Sequence, residues 1–396
     1  MTDPPVNEIL ESLARNLFEN RHAIVAANHS DLDACSISDP VIFDRLKVDE
    51  AKVDKMIASV RGVMGQAGRA GEVIFSRTRP DGLRIENRRV PFGTILIIFE
   101  ARPDVCVEAA IIALKAGNRI LLKGGKEARN TNLLLAELWR RALDENHSDP
   151  RIVHYLDISR EETQRLIAGE TEHFDLVIPR GGEALIEFAL KNSKAPVLVS
   201  GRGNNFLYID DVADFAMALK IALDGKSRLS VCNALDKILL HRGQPDLQER
   251  LRKIAGGFQD IGVEVFGDEE AQAADRSAIR PLDGEEMWYE EFLSAKIAVG
   301  VVDGLDNAIA RINEYSGGHS ATIVTDNDAT AERFMNQVDC AAVYHNASTR
   351  FTDGGEFGLG AEIAISTLKL HFRGPLGAEH LLTNKWFIYG QGHVRG

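Results

Sequence analysis

The stretch from Gly93 to Gly125 reads GTILIIFEARPDVCVEAAIIALKAGNRILLKGG and decides the fold. It opens with a continuous apolar run, continues as an amphipathic segment up to Gly117, and closes with a second short apolar run. Continuous apolar runs of this length are typical of parallel strands that are covered on both faces. A strand, a helix and a second strand at this spacing form a βαβ unit, which predicts a parallel sheet.

The α/β alternation continues downstream of this unit. We predict helices over 129–146, 160–169 and 182–193, and strands at RIVHYL, FDLVIPRGG and APVLVSG. From about Lys226 a second run of alternation begins, and its clearest strands are LDKILLHR, KIAVGVV and SATIVTDN. Such alternation predicts an α/β protein with two doubly wound parallel sheets, which bind ligands at the carboxyl ends of their strands.

The flanking segments predict helices and a small β arm. Residues 5–75 read as helices, with a second patterned segment at 42–67 and apolar residues at helical spacing near the N-terminus (Leu10, Leu13, Leu17 and Phe18). A turn signal at 79–82 predicts a hairpin arm at about 76–92. The tail from His371 contains an extended, partly aromatic stretch that we expect to pair with another subunit.

Composition and charge exclude several classes of protein. The 396 residues carry a net charge of -13, which is the wrong sign for a protein whose main partner is nucleic acid or an anionic lipid surface. The longest apolar runs are far shorter than the roughly 20 residues of a membrane helix. The N-terminus has no apolar segment of the kind that a signal peptide contains. We therefore expect a cytoplasmic location, with no membrane or nucleic-acid partner.

The four cysteines are widely spaced and include no CxxC pair, which suits neither a disulfide framework nor a zinc site, and we predict no metal. Cys106 lies on an apolar helix face and Cys340 in VDCAAVY, so both are interpreted as packing residues. Cys232 lies in KSRLSVCNALDKILL, where the following segment fits a helix or a strand. At the start of a helix, free N–H groups lower a thiol pKa and hold an oxyanion. The pattern alone leaves Cys232 open between a nucleophile and an inert buried cysteine.

Several collinear segments carry a resemblance to a known family. They are VPFGTILIIFEARPDVCVEAA, KAGNRILLKGG, FDLVIPRGG, SRLSVCNALDKILLH and AAVYHNASTRFTDGGEFGLGAEIAISTLKLHFRGP. Along nearly its whole length the chain resembles the gamma-glutamyl phosphate reductases, the proline-pathway branch of the aldehyde-dehydrogenase superfamily. In that family the cysteine of VCN is the nucleophile, which is Cys232 here. The resemblance implies an aldehyde-dehydrogenase-like fold with a β oligomerisation arm.

The resemblance implies a role for each of the predicted domains. We assign 1–225, including the hairpin arm, to a cofactor-binding domain and 226–352 to a catalytic domain that carries the nucleophilic cysteine. We assign 353–396 to a return to the cofactor domain that ends in an oligomerisation strand. The expected assembly is a homo-oligomer, either a dimer or a tetramer. Because the sequence begins without a kinase region, we expect transient contact with a separate glutamate 5-kinase that supplies the labile substrate.

The resemblance implies NADPH-dependent reduction of L-glutamyl 5-phosphate to L-glutamate 5-semialdehyde and phosphate through a Cys232 thioester, the second step of proline biosynthesis from glutamate. Oxidative aldehyde dehydrogenases carry a glutamate, in an ELGGK-type motif, that drives water onto the thioester. This chain has VSGRGNN at 199–205, which contains no carboxylate. That difference favours hydride as the acceptor. The alternatives are an oxidative or other acyl-phosphate enzyme with a different substrate tail, or an inactive oligomeric scaffold.

The resemblance also implies a set of cofactor-binding residues: Lys123, Lys126, Arg180, Gly181, Gly182 and Glu291. Oxidative relatives read K-P-A-E at LLKGGKEA, and alignment on Lys123 places Lys126 where their ribose-binding carboxylate stands. A cation there attracts the 2′-phosphate of NADPH. The two glycines allow a close approach of the backbone. Glu291 aligns with the glutamate that holds the nicotinamide ribose. The alternative for Lys126 is an ordinary exposed lysine of a loop, and the alternative for Glu291 is a solvated acid on a helix.

The substrate carries a carboxylate and a phosphate, so it requires cations. We predict Arg102 and Arg350 as the anion-binding residues, because arginine binds both anions in bidentate fashion. Asn346 and Ser348 are predicted to supply further donors. Structural hydrogen bonding within the loops is the alternative for each of these residues, and we favour a structural role for His319 and His371 as well.

Two positions depart from the family pattern. Asn205–Phe206 stand where members commonly carry Cys-His before a YxD strand, and Asp104 stands where Asn is usual in EARPDV. Both departures lie on the expected active-site side. They bear on the identity of the substrate tail and not on the class of reaction.

Overall fold

The computed structural model describes residues 5–35, 40–370 and 372–395 and divides into two units. The first comprises Met1–Val199, Gly358–Ala364 and Pro375–Gly396, and the second comprises Ser200–Phe357 and Ile365–Gly374. The boundary that we predicted at 225/226 therefore lies at 199/200, because the strand that begins at Asn205 pairs inside the sheet of the second unit. His371 lies outside the described residues.

The described part of the first unit begins with four helices and three consecutive strands, and strands and helices alternate from there on. In chain order they are α1 (Val6–Glu19), α2 (Arg21–Ala34), α3 (Pro40–Leu46), α4 (Glu50–Met64), β1 (Val73–Thr78), β2 (Arg84–Pro91), β3 (Thr94–Phe99), α5 (Val105–Lys115), β4 (Arg119–Gly124), α6 (Arg129–Glu145), β5 (Val153–Tyr155), α7 (Arg160–Ile167), β6 (Leu176–Arg180) and α8 (Glu183–Asn192).

The predicted βαβ unit is confirmed as β3, α5 and β4, which belong to a parallel sheet with the order β5-β4-β3-β6. Helix α5 ends just before Gly117, whose φ of +81° is a conformation that favours glycine. The predicted strand APVLVSG is not formed. That segment makes two isolated bridges, a parallel one between Val177 and Val197 and an antiparallel one between Ser200 and Ser366.

The N-terminal helices pack against α5 and α6 and share a hydrophobic core with them and with β3 and β4. Residues Ile9, Leu10, Leu13 and Leu17 of α1 are fully buried, whereas Phe18 is 61% exposed and lies outside the apolar stripe. The segment predicted as one patterned stretch at 42–67 divides into α3 and α4. The division occurs because the Asp49 side chain accepts a hydrogen bond from the Lys52 N–H and caps a new helix.

The second unit contains a larger parallel sheet. Its elements are β7 (Asn205–Ile209), α9 (Phe215–Gly225), β8 (Leu235–His241), α10 (Leu247–Asp260), β9 (Glu264–Gly267), α11 (Glu269–Ala274), β10 (Ile279–Pro281), α12 (Glu286–Tyr289), β11 (Lys296–Val302), α13 (Leu305–Tyr315), β12 (Ser320–Val324), α14 (Asp328–Gln337), β13 (Ala342–His345) and β14 (Ile365–Ser366). The order is β10-β9-β11-β8-β7-β12-β13, and neighbouring strands run parallel. A short strand, β15 (Gly374–Pro375), follows β14 and pairs with it.

The last strand, β16 (Leu382–Tyr389), completes an antiparallel sheet with the order β1-β2-β16. Its whole length pairs with β2, from Leu382 opposite Pro91 to Tyr389 opposite Arg84. The tail strand that we expected to pair with another subunit is therefore already paired along one edge within its own chain. Across the described residues, no helix is long and apolar enough to cross a membrane.

Candidate active site

Cys232 lies on a turn immediately before β8. The sequence left a helix or a strand open for the segment that follows it, and the structure has a strand. A helix N-terminus, which would lower the pKa of a thiol, is therefore not present at this cysteine. The side chain is half-buried, whereas Cys106 and Cys340 are buried. Burial raises the pKa of the Cys106 thiol to about 12 and that of Cys340 to about 11, as expected for packing residues.

A buried amide from β7 holds the backbone of the Cys232 turn. The Asn205 Nδ2 donates to the carbonyl oxygens of Cys232 and Ala234, both at 2.7 Å, and lies 3.0 Å from the Gly203 carbonyl oxygen. A Cβ on Gly203 would lie only 2.0 Å from the Cys232 carbonyl oxygen. The end of the carboxylate-free segment 199–205 thus lies directly against the turn that carries the thiol. This contact gives Asn205, one of the two departures from the family pattern, a structural role.

A second amide joins the Cys232 turn to the loop that contains Arg350. The Asn233 Nδ2 donates to the carbonyl oxygens of Arg350 and Thr352, both at 3.0 Å, and the Asn233 Oδ1 accepts from the Arg350 guanidinium. The Thr349 hydroxyl donates to the Asn233 carbonyl oxygen at 2.9 Å. Sequence reasoning missed Asn233. The only sequence signal for its role is that an amide side chain directly follows Cys232.

Arg350 is half-buried and lies within electrostatic range of the thiol. Burial lowers the pKa of its guanidinium, and the positive charge of Arg228 adds to this effect. The negative charges of Asp224 and Asp353, and after them that of the Cys232 thiolate, act in the opposite direction. A cation beside the sulfur favours the thiolate form, and two neighbouring guanidiniums attract an anion. The structure therefore brings Arg350 together with Cys232, as the predicted site requires.

The two other predicted donors of this loop already make hydrogen bonds within the protein. The Asn346 side chain donates to the Thr325 carbonyl oxygen and accepts from the Thr325 N–H, both at 3.1 Å. The Ser348 oxygen accepts from the Arg350 N–H at 3.3 Å and caps the short 3-10 turn 349–351. Contacts of these two side chains with a substrate stay predictions. His319 is fully buried, and burial lowers its pKa to about 4, in agreement with the structural role that we favoured.

In the first unit, the predicted cofactor residues lie at the carboxyl ends of β4 and β6. Lys123 is half-buried, and burial lowers the pKa of its ammonium group, whereas Lys126 is exposed in the following turn. The Arg180 guanidinium donates to the Ile363 carbonyl oxygen. Carboxyl ends of parallel strands are the usual ligand-binding edge of such a sheet. Three cations at this edge fit the phosphates of a dinucleotide.

The glycine turn after β6 surrounds the side chain of Glu100. A Cβ on Gly181 would lie 2.4 Å from the Glu100 carboxylate, and the Gly182 N–H donates to the same carboxylate at 2.9 Å. Sequence reasoning missed Glu100, although it directly follows the first buried strand. Gly181 is therefore required for packing against Glu100, and close approach of a ligand to this glycine stays a prediction.

Arg102 and Asp104 lie in the loop between β3 and α5, in the first unit. The carboxylate of Asp104 forms an ion pair with Lys52 at 3.4 Å. Burial raises the pKa of nearby Glu108 to about 8, and the negative charge of Asp104 contributes to the rise. Substrate binding by Arg102 stays a prediction. Glu291 is half-buried between α12 and β11, in the second unit.

Comparison with known proteins identifies the family. The aldehyde dehydrogenase family model matches residues 15–259 and 283–360. The gamma-glutamyl phosphate reductases of Dictyoglomus thermophilum and Thermobifida fusca are 40% and 42% identical, and each alignment covers 98% of this chain and 94% or 93% of the relative. The crystal structure of the Thermotoga maritima gamma-glutamyl phosphate reductase is 40% identical, with a TM-score of 0.89 over 99% of this chain and 94% of that one. An acetylating aldehyde dehydrogenase from Geobacillus thermoglucosidasius, 17% identical over 100% of this chain and 94% of its own, shares the fold with a TM-score of 0.72. The chain therefore belongs to the aldehyde dehydrogenase family and, within it, to the gamma-glutamyl phosphate reductases.

Proposed function

We propose that this protein reduces L-glutamyl 5-phosphate to L-glutamate 5-semialdehyde, with release of phosphate and at the expense of NADPH. This is the second step of proline biosynthesis from glutamate. The observation that carries the proposal is the half-buried Cys232 thiol, held on its turn by Asn205 and Asn233 with the carboxylate-free segment against it. The names of the relatives support the same reaction.

The first chemical step belongs to the side chains of the second unit. The Cys232 thiolate attacks the acyl carbon, a C–S bond forms, and the bond from that carbon to the phosphate oxygen breaks. Inorganic phosphate leaves with the electron pair. The neighbouring guanidinium of Arg350 favours both the thiolate and the anionic group of the substrate.

The fate of the thioester follows from what surrounds the sulfur. The segment that lies against the Cys232 turn carries no carboxylate, so it offers no general base to activate water. A bound nicotinamide cofactor supplies the hydride that the thioester carbon requires. The chain's own task is to hold the acyl group on Cys232 and to keep water from being activated there.

The proposal that the cofactor is NADPH rests on the cations of the first unit. Lys126 is exposed at the carboxyl edge of β4, where its charge attracts a 2′-phosphate. Lys123 and Arg180 lie at the ends of β4 and β6 and are suited to the remaining phosphates, while Glu291 is suited to the nicotinamide ribose.

Three further features belong to the proposal. The exposed apolar residues of the β1-β2-β16 arm support a homo-oligomer. The lability of an acyl phosphate favours transient contact with the kinase that makes it. The four cysteines are free thiols, which suits the reducing cytoplasm.

The substrate assay runs the reaction in reverse. The enzyme is given pyrroline-5-carboxylate, which is in equilibrium with the semialdehyde, together with NADP and phosphate, and NADPH is followed by its absorbance. Acetaldehyde and succinate semialdehyde replace pyrroline-5-carboxylate in parallel reactions. We expect the glutamate-derived aldehyde to give a kcat/KM at least about 100-fold above the others, because each lacks an anchoring group that the site binds. A preference for another aldehyde would assign a different substrate tail, and Asp104 and Asn205 would be the residues to examine first.

A further inference from the structure

A cluster of buried charges lies close to the nucleophile along the chain, with Lys226 before Cys232 and with Asp236 and Lys237 after it. The side chains of Lys226 and Asp236 are 0% and 2% exposed, and the Lys226 Nζ lies 2.5 Å from the Asp236 Oδ1. Lys237, the next residue on β8, is also fully buried. A fully buried lysine is costly unless its ammonium group finds a partner. None of these three residues is used by the reaction proposed above.

A bulge in β8 allows two consecutive side chains, those of Asp236 and Lys237, to contact the same segment between α12 and β11. In the pairing with β7, Leu235 lies opposite Asn205 and Lys237 lies opposite Phe206, so Asp236 is an extra residue in the ladder. Consecutive residues of a regular strand point to opposite faces, and a bulge removes this restriction. As a result, Asp236 and Lys237 both reach the segment between α12 and β11.

Together these two residues bind the peptide groups on both sides of Glu291. The Lys237 Nζ donates to the Glu290 carbonyl oxygen at 2.8 Å. The Asp236 Oδ2 accepts from the Phe292 N–H at 2.8 Å. Leu293, just beyond, has a φ of +45°, a conformation that a leucine adopts only when its surroundings impose it. The backbone at 290–292 is thus fixed from β8.

The ring of Phe292 closes the cluster. The Lys237 Nζ lies 3.6 Å from the centre of this ring and the Lys226 Nζ lies 5.7 Å from it. Asp236 forms an ion pair with Lys226 and acts on Lys237 only through its charge, and the cation–π contact supplies part of the missing compensation for Lys237. Burial lowers the pKa of Lys237 to about 7, while Asp236, Glu290 and Glu291 act to raise it.

We propose that Asp236 and Lys237 are positioning residues that hold Glu291 in the orientation needed to bind the ribose of the dinucleotide. The inference rests on the proposed function of Glu291 as a cofactor-binding residue. Neither side chain touches the reacting atoms. Their effect is exerted through the backbone of Glu290 and Phe292, so it falls on cofactor binding and leaves the reactivity of Cys232 unchanged.

The test measures NADPH binding directly, by fluorescence titration of the intact enzyme, and the alkylation rate of Cys232 by iodoacetamide. We expect Lys237→Met to weaken NADPH binding about tenfold, the effect of one lost orienting hydrogen bond, with alkylation unchanged within about twofold. Lys237→Gln retains an N–H donor and should recover part of the affinity. Asp236→Asn, which removes the charge and keeps the shape, provides a second variant if Lys237→Met folds poorly. The matched control is Lys220→Met, which replaces an exposed lysine on α9.

A double-mutant cycle with Glu291→Gln decides the mechanism. If Lys237 acts through Glu291, Lys237→Met has little further effect in the Glu291→Gln background. Independent, multiplying losses would overturn the inference, and so would wild-type NADPH affinity in folded Lys237→Met and Asp236→Asn variants. Because binding is measured without turnover, these results are independent of the phosphate-dependent assay, whose failure would bear on the proposed reaction alone.

Discussion

At the scale of single residues, two asparagines hold the turn that carries the nucleophile. Asn205 binds the Cys232 carbonyl from one side, and Asn233 connects the turn to the loop of Arg350. Both amides bind backbone carbonyl oxygens, so they fix the path of the chain rather than the thiol itself. A thiol on a turn has no helix dipole to activate it, and the neighbouring guanidinium of Arg350 supplies positive charge beside it.

Replacement of Cys232 by serine tests the nucleophile. We expect Cys232→Ser to reduce kcat by at least about 1,000-fold, because a hydroxyl without a base is a far weaker nucleophile than a thiolate. NADPH affinity, measured by fluorescence, should stay at the wild-type value. Cys35→Ser is the matched control, since Cys35 is also a half-buried free thiol. A Cys232→Ser variant with wild-type turnover would show that the nucleophile is another residue.

Reversal of the charge at Lys126 tests the cofactor preference. Lys126→Glu should shift the ratio of kcat/KM for NADPH over NADH toward NADH by about 100-fold or more, because a carboxylate repels the 2′-phosphate and accepts a bond from the ribose hydroxyl. Lys126→Gln, which removes the charge alone, should give an intermediate ratio. Steady-state kinetics with both cofactors provides the measurement. An unchanged ratio would mean that Lys126 is an ordinary exposed loop lysine.

At the scale of elements, a carboxylate from another helix accepts hydrogen bonds from the N–H groups at the start of α6. Asp31 of α2 is buried and accepts from the N–H groups of Asn130 and Thr131 at 3.0 and 2.8 Å, and from the Thr131 hydroxyl at 2.6 Å. The negative charge also lies at the positive end of the α6 dipole. One side chain therefore joins two helices of the first unit.

Loss of this carboxylate should destabilise the first unit. We expect Asp31→Ala to lower the free energy of unfolding by about 2 kcal/mol, because two N–H groups at the start of α6 lose a charged acceptor. Urea denaturation followed by circular dichroism measures the change. Asp33→Ala, at an exposed position of the same helix, should stay within about 0.5 kcal/mol of the wild type. Equal effects of the two substitutions would contradict the role of Asp31.

The elements also show where sequence reasoning succeeds and where it stops. The strands β3 and β4 are buried on both faces, so their apolar runs are continuous and easily recognised. The apolar run APVLVSG looks the same in sequence but makes two isolated bridges and no strand, because pairing depends on a neighbour that local sequence does not contain. Lys237 interrupts an apolar strand, which signals a special environment. Its partner at Glu290 is 53 residues away along the chain and is visible only in the structure.

The candidate site was predictable to a similar extent. Cys232 follows from the family resemblance and Arg350 from the anionic substrate that the resemblance implies, and the structure brings them together. Asn205 was recognised only as a departure from the family pattern. Its role is to form hydrogen bonds with a turn that lies 27 residues further along the chain. Buried hydrogen bonds between distant segments leave no periodic pattern in the sequence.

At the scale of the whole molecule, the β1-β2-β16 sheet exposes apolar side chains. Trp386 and Ile388 are 52% and 60% exposed, and the Trp386 ring lies 5.7 Å from that of Phe75. Residues two apart on a strand share a face, so these side chains form one surface. Exposed clusters of this kind are typical of subunit contacts.

The paired substitution Trp386→Lys and Ile388→Lys should reduce the assembly state of the protein. Four positive charges across a twofold contact repel each other and remove the apolar area that holds the subunits together. Sedimentation velocity provides the measurement, with Thr383→Lys on the opposite face of β16 as the control. A sedimentation coefficient that does not change from the wild type would place the subunit contact elsewhere.

We expect the thioester on Cys232 to exchange with hydride and phosphate and not to be hydrolysed. The direct measurement follows NADPH after pyrroline-5-carboxylate and NADP are mixed with the enzyme, first without phosphate and then with it. Without phosphate we expect a single burst of NADPH that does not exceed one per active site, and phosphate should restart steady turnover. Continued NADPH formation without phosphate, with glutamate as the product, would show that water reaches the thioester and that the thioester is hydrolysed.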